Sequence, residues 1–299
     1  MIDLMKNSTV LGFAENMQQA QALAAELGTG CGEITLHRFP DGEHRLAVPE
    51  SLPENVMVFL SLDHPNEKLI ELLLAAAAAR DNGAKRVLLV TPYLCYMRQD
   101  IAFHPGEAVS QQIIGKLLAE HFDAVVTVDP HLHRIERLQQ AVPLHHALAL
   151  TAAEPMAEFL AGQFERPLLI GPDSESRQWV ETIASGRGLD FTVGSKERFG
   201  DRNVRIHLPE TVPLAGRDVV IVDDIASTGR TIIAAAQAVL AAEPDSLSVL
   251  VTHALFAGDA ESRIRRLAID HIWSTDSIKH PTNAIALAPL LAEGVRRCF

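Results

Sequence analysis

The 299-residue chain predicts an α/β protein of two similar domains, each a mostly parallel sheet flanked by helices. Three observations carry that expectation. Short apolar runs alternate with longer Ala- and Leu-rich runs along the whole chain, the pattern of repeated strand–helix–strand units. The length suits about two domains. A strand-like run ending in aspartate occurs twice, at Val125 to Asp129 and at Val219 to Asp224.

The elements follow in order. A strand is expected over 10–13, with a helix over 18–26, then a strand over 56–61 before an Ala-rich helix over 68–82. Residues 86–91 form an apolar strand and 108–121 a helix with apolar residues at helical spacing. Strands follow at 124–128 and 167–170, then a helix at 176–185. The run 219–222 is apolar at every position, as for a strand covered on both faces. The Ala-rich helix over 232–240 and strand 247–253 come next. A helix over 261–267, strand 269–274 and a last helix over 287–297 complete the pattern. Pro143 and Pro155 bracket a segment at 144–154 suited to a linker. The domains are therefore set at 1–146 and 147–299, the last helix being free to pack back on the first domain.

Composition excludes several classes. Lys and Arg total 26 against 38 Asp and Glu, so the formal charge is 26 − 38 = −12, a poor balance for nucleic-acid binding. Three cysteines, Cys31, Cys95 and Cys298, without a C-x-x-C spacing argue against a disulfide framework and for a reducing, cytoplasmic setting. The opening residues lack a basic stretch followed by an apolar one. The apolar run at 72–79, flanked by Glu71 and Arg80, is too short to span a bilayer, so no membrane is expected.

The stretch 219–231, Val-Val-Ile-Val-Asp-Asp-Ile-Ala-Ser-Thr-Gly-Arg-Thr, carries the most chemistry. An apolar strand leads to two carboxylates, then to a small-residue turn opening a helix. Such a turn offers backbone N–H groups and hydroxyls to a phosphate. Carboxylates beside it would repel the anion unless they hold ribose hydroxyls or a metal ion. A sugar phosphate gripped at both ends answers the pattern. On spacing alone a structural turn after a buried strand is an equal alternative.

This stretch resembles the phosphoribosyl-pyrophosphate motif of type I phosphoribosyltransferases and of ribose-phosphate pyrophosphokinases. The resemblance implies that Asp223 and Asp224 take the ribose hydroxyls, and that Ser227, Thr228, Gly229 and Thr231 take the 5-phosphate. Ser227 stands where the family usually has Asp, and Arg230 where it often has Gly. Further segments narrow the choice. Phe39-Pro-Asp41-Gly-Glu43, Pro92-Tyr-Leu-Cys-Tyr-Met-Arg98-Gln99-Asp100, Gly106-Glu107 and Val128-Asp-Pro-His131 occur in the order found in ribose-phosphate pyrophosphokinases. Together with the sugar-phosphate motif they cover essentially the whole chain. The fold implied is a duplicated type I phosphoribosyltransferase fold.

The resemblance assigns Phe39, Asp41, Glu43, Arg98, Gln99, Asp100 and His131 to ATP, the Phe39 loop serving the adenine of a neighbouring subunit. It places Asp173 by the ribose and a metal, with Mg²⁺ as cofactor and His131 and Asp173 as its ligands. Ser174-Glu175-Ser176 after it departs from the Gly-rich stretch usual in the family. Lys196 and Arg198 match the basic pair of the family's mobile catalytic loop, with Glu197 where a further base is common. From composition alone that segment, 194–205, reads as a solvated loop. The implied partners are ATP and ribose 5-phosphate, in a homo-oligomer of at least two chains. The implied reaction transfers pyrophosphate from MgATP to the 1-hydroxyl of ribose 5-phosphate. A catalytically weak regulatory paralogue, and a phosphoribosyltransferase that consumes the product, stay open beside it.

Overall fold

The computed structural model describes residues 7–132, 134–199, 203–209 and 212–299, with backbone alone for residues 198, 199, 203 and 204. The chain divides into two compact units, one ending at Leu150 and completed by Leu287–Phe299, the other running Thr151–Ala286.

The first unit holds β1 (Ser8–Phe13), α1 (Met17–Leu27), β2 (Gly30–Arg38), β3 (His44–Ala47), β4 (Asn55–Phe59), α2 (Pro65–Asp81), β5 (Arg86–Val90), α3 (Ser110–His121), β6 (Ala124–Val128) and β7 (His146–Leu150). Its seven strands lie in the order β3-β2-β1-β4-β5-β6-β7. All pairings are parallel except the β2–β3 hairpin. β4 and β6 are buried at every position, which is why they read as mainly apolar runs, with Asn55 and Thr127 the exceptions. Helix α2 begins with proline, whose missing N–H costs nothing in a first turn, and turns Leu69, Leu72, Ala75, Ala76 and Ala79 onto the sheet. Gly115 in α3 lies so close to the Ala141 carbonyl that an added Cβ would sit 1.9 Å from its oxygen, so only glycine fits.

The second unit holds α4 (Ala153–Gln163), β8 (Leu168–Gly171), α5 (Arg177–Ser185), β9 (Phe191–Val193), β10 (Ser195–Phe199), β11 (Asn203–His207), β12 (Asp218–Ala226), α6 (Arg230–Leu240), β13 (Ser246–Ala254), α7 (Ala260–Ile264), β14 (His271–Thr275) and β15 (Asn283–Ile285). Its sheet is parallel throughout, in the order β15-β14-β13-β12-β8-β9. The last helix, α8 (Ala288–Arg296), belongs to the first unit. An added Cβ on its Gly294 would sit 2.7 Å from Leu150 Cδ1 and 2.8 Å from Val126 Cγ1, and Arg86 donates to the Cys298 carbonyl at 2.9 Å.

The two sheets share one plan. Omitting edge strand β3, the order β2-β1-β4-β5-β6-β7 matches β9-β8-β12-β13-β14-β15 strand for strand. An antiparallel pairing interrupts both at the same step. In the first unit β3 folds back on β2; in the second β10 and β11 pair with each other. Each sheet reverses direction beside its first strand, between β1 and β4 and between β8 and β12. In open α/β sheets ligands bind outside the carboxyl ends of strands at such a switch point.

Several sequence expectations need correction. Segment 194–205, of which residues 200–202 lie outside the described residues, is otherwise not a plain loop: β10 and β11 pair from Ser195 opposite His207 to Phe199 opposite Asn203. The linker expected at 144–154 is mostly regular, since His146–Leu150 pair with β6 and α4 starts at Ala153, with Pro155 in its permissive first turn. The first unit therefore runs past residue 146. β12 continues to Ala226, because its pairing with β13 carries on to Ala226 opposite Ala254. Asp223 and Asp224 thus lie within the strand rather than beyond its end. Helix α7 stops at Ile264, short of 267.

Candidate functional site

In the second unit the acidic pair, the small-residue turn, Asp173 and Lys196 gather at the carboxyl ends of β8 and β12, the switch point. Ala226 ends β12, Ser227 and Thr228 form the turn, and Gly229 caps α6 in the left-handed region (φ 69°). An added Cβ on Gly229 would lie 2.9 Å from Ile264 Cδ1 and 3.4 Å from Ala260 Cβ, so α7 packs directly against the turn. Thr228 is exposed, Ser227 and Thr231 are half-buried, and Arg230 is exposed.

Asp173 follows β8 by two residues. Its backbone and carboxylate are held locally: Glu175 N–H donates to Oδ1 at 3.0 Å, and Ser176 Oγ donates to its carbonyl at 2.6 Å. Ser174-Glu175-Ser176 thus forms a short 3₁₀ turn that orients Asp173. Lys196 reaches it from β10, Nζ donating to Oδ2 at 2.9 Å, with both side chains largely buried. For Arg198 only the backbone position, two residues along β10 from Lys196 and opposite Val204, is described. Glu197 is engaged by His207 at 3.3 Å.

The carboxylates repel one another. Burial, then the charges of Asp224 and Asp173, push the Asp223 carboxyl well above its usual range, against the opposing pull of the Asp224 N–H and Lys196. That N–H donates to Asp223 Oδ1 at 3.1 Å. Among the described residues, no three His, Cys, Asp or Glu side chains form a ready cation cage. The crowding of hard carboxylate oxygens nevertheless suits Mg²⁺, which keeps waters and substrate phosphates and needs only one or two carboxylates.

In the first unit, Phe39-Pro40-Asp41-Gly42-Glu43 is the tip of the β2–β3 hairpin. Phe39 N–H donates to the Glu43 carbonyl at 2.8 Å, and Glu43 N–H to Asp41 Oδ1 at 3.1 Å. The tip is exposed, Phe39 at 40%, with its ring edge-on to His37. Arg98, Gln99 and Asp100 follow β5. Gln111 on α3 secures the segment by donating to the Met97 carbonyl at 3.2 Å. Glu107 accepts from Gln99 at 3.3 Å and from Phe103 N–H at 2.9 Å. Arg134 donates to Asp100 Oδ1 at 2.6 Å, while Asp100 Oδ2 is buried without a protein partner. Arg98 is exposed, and His131 is half-buried after β6.

Backbone strain marks the same edges. His64, Tyr96 and Asp129 take positive φ (49°, 59°, 37°) just after β4, β5 and β6, and Phe256 (36°) after β13. Non-glycine residues in this region cost about 1–3 kcal/mol each and gather where structure holds a ligand. Sequence reading assigned no role to Arg134, Phe256, Ile264 or His280. Their partners lie far along the chain, 34 residues in the case of Arg134 and Asp100, and no local pattern signals such contacts.

Residues 8–121 match the family model for the N-terminal domain of ribose phosphate pyrophosphokinase, and residues 143–289 match that for the phosphoribosyl transferase domain. The ribose-phosphate pyrophosphokinase of Methanopyrus kandleri is 35% identical over 290 residues, covering 96% of this chain and 98% of its own. That of Halobacterium salinarum is 31% identical over 287 residues, covering 96% and 100%. The crystal structure of phosphoribosylpyrophosphate synthetase from Mycobacterium smegmatis superimposes with a TM-score of 0.83 at 22% identity, over 97% of this chain and 98% of that one. The last likeness is one of fold.

Proposed function

The chain belongs to the ribose-phosphate pyrophosphokinase family, and from that premise we propose that it transfers the pyrophosphoryl group of ATP to the 1-hydroxyl of ribose 5-phosphate. The 1-oxygen attacks the β-phosphorus, the bond to the α-phosphate oxygen breaks, AMP leaves, and the hydroxyl proton passes to solvent or a nearby base. The observation that carries the reading is the convergence of Asp173, Asp223, Lys196 and the Gly229 turn at one switch point of the second unit.

Each group has a task in this reading. N–H groups and hydroxyls of Ser227, Thr228, Gly229 and Thr231 bind the 5-phosphate, and Arg230 adds a cation at the rim. Asp223 and Asp224 accept from the ribose hydroxyls. The Phe39 ring, with Asp41 and Glu43, serves adenine from an exposed hairpin of a neighbouring copy. Arg98, Gln99, Asp100 and His131 serve the nucleotide. Lys196 and Arg198 neutralise charge that builds on the transferring group, an electrostatic role suited to phosphoryl chemistry. Mg²⁺ would screen the polyphosphate, with His131 a ligand on the nucleotide side and Asp173 a ligand to a metal on the ribose side. The setting is the cytoplasm, and among the described residues no helix is long and apolar enough to cross a membrane.

Purified protein is incubated with MgATP and ribose 5-phosphate, and AMP and phosphoribosyl pyrophosphate are quantified. Equimolar formation of both is expected. Ligand binding without AMP would replace the reading with a regulatory one, which the Ser227, Arg230 and Glu197 departures favour. Pyrophosphate release from phosphoribosyl pyrophosphate and a base would indicate a phosphoribosyltransferase.

A further inference from the structure

The phosphate turn does not stand alone. Behind it runs the segment joining β13 to α7, and two backbone bonds tie the two together. Phe256 N–H donates to the Ala226 carbonyl at 2.8 Å, and Ala257 N–H to the Ser227 carbonyl at 3.0 Å. The carbonyls of Ala226 and Ser227 are thus both engaged on that side. Phe256 is 8% exposed and sits at φ 36°, a conformation a phenylalanine keeps only when its surroundings hold it.

Those surroundings centre on His280, in the loop between β14 and β15. Its ring lies against the Phe256 ring at 4.9 Å between centroids. Thr282 N–H points at His280 Nδ1 at 3.3 Å, so Nδ1 accepts and, by that bonding pattern, Nε2 carries the proton. Nε2 faces Glu261 Oε2 on α7 at 3.4 Å. The loop is rigid in turn: Thr282 Oγ1 meets Ser274 Oγ at 2.8 Å, and Asn283 Nδ2 donates to the Thr275 and Ile278 carbonyls at 2.6 and 3.0 Å. Helix α7, which His280 holds through Glu261, is the element whose Ala260 and Ile264 pack on Gly229.

We propose that His280 is a positioning residue for ribose 5-phosphate: through Phe256 and through Glu261 on α7 it clamps the Ser227–Thr231 turn from behind, without touching substrate. This rests on the reading of that turn as the phosphate site. Loosening the clamp lets the turn's N–H groups diverge, which weakens sugar-phosphate binding while leaving the nucleotide side intact.

The test compares parent, His280→Ala and His280→Gln for KM of ribose 5-phosphate, KM of ATP and kcat, with direct ribose 5-phosphate binding by calorimetry. His280→Ala should raise KM and Kd for ribose 5-phosphate about fivefold, the affinity equivalent of one net hydrogen bond, with KM for ATP unchanged. His280→Gln, which keeps an N–H for Glu261, should recover part of that loss. Equal rises in both KM values, or no change in either, overturn the proposal. Absence of ribose 5-phosphate binding by the parent would instead overturn the reading of the turn itself. Should His280→Ala fail to fold, Glu261→Ala carries the same comparison, since its side chain is 31% exposed.

Discussion

Gly229→Ala tests the geometry of the proposed phosphate turn most directly. Gly229 has φ 69° and ψ 0°, and an L-residue there costs about 1–2 kcal/mol. The new Cβ would also lie 2.9 Å from Ile264 Cδ1. That methyl ends a flexible side chain, so it can turn aside at a cost of about 0.5–1.5 kcal/mol. The stiffer unfolded chain adds to the effective stability of alanine by about 0.4–1 kcal/mol, which offsets part of the cost. A net loss of about 1–2 kcal/mol follows, equivalent to roughly 2–8 °C in Tm for a unit of this size. Urea unfolding of the ligand-free protein measures it, alongside KM for ribose 5-phosphate, which should rise about tenfold or more as the N–H groups shift. Ile264→Val removes Cδ1 and costs about 0.5–1.5 kcal/mol alone. In combination it should relieve the overlap, so the double variant is more stable than the sum of the single ones by about 0.5 kcal/mol or more. Unchanged stability and KM for Gly229→Ala would refute the assigned turn geometry, and strict additivity would refute the contact with α7.

Asp223→Asn should make the ligand-free protein more stable at neutral pH while weakening ribose 5-phosphate binding. The folded Asp223 holds its proton more tightly than the unfolded value of about 3.9 allows. The native state therefore binds more protons than the unfolded one, and stability falls as pH rises from about 4 through the raised pKa. The variant lacks that slope, so the gap between the two proteins should widen with pH in urea titrations from pH 4 to 8; a constant gap contradicts the assignment. Lys196→Ala should lower kcat by about 10²–10³-fold with a smaller change in KM, and near-normal kcat would remove Lys196 from the catalytic set. Phe39→Ala, at an exposed hairpin tip, should change stability by no more than about 0.5 kcal/mol yet raise KM for ATP; a large Tm loss with unchanged KM would point to packing instead.

The departures from family pattern gain physical content in the structure. Ser174-Glu175-Ser176 still shapes a turn that orients Asp173, through backbone N–H and a serine hydroxyl rather than glycines. Glu197, which lowers the positive charge of the segment proposed as catalytic, is met by His207 across the β10–β11 pair. Ser227 and Arg230 leave the turn with less negative charge than an aspartate would bring, so 5-phosphate affinity is the quantity they bear on most.

The sequence by itself determined the central strands, their helices and the motif positions. Parallel strands covered on both faces read as mainly apolar runs, and β4, β5, β6 and residues 219–222 of β12 advertise themselves in that way. Motif residues sit next to one another in the chain, so Asp223, Asp224 and the Ser227–Thr231 turn were legible without coordinates. Only the tertiary structure decided what depends on distant partners. β2, β3 and β10 are mostly exposed or polar and carry no sustained apolar run; they are strands because a neighbour completes their hydrogen bonds. β12 extends past its apolar run for the same reason. The hold of Lys196 on Asp173, of Arg134 on Asp100, and of Phe256, Ile264 and His280 around the Ser227–Thr231 turn is likewise long-range. Burial is written residue by residue into a chain, whereas the pairing of two polar groups appears only once the fold has brought them together.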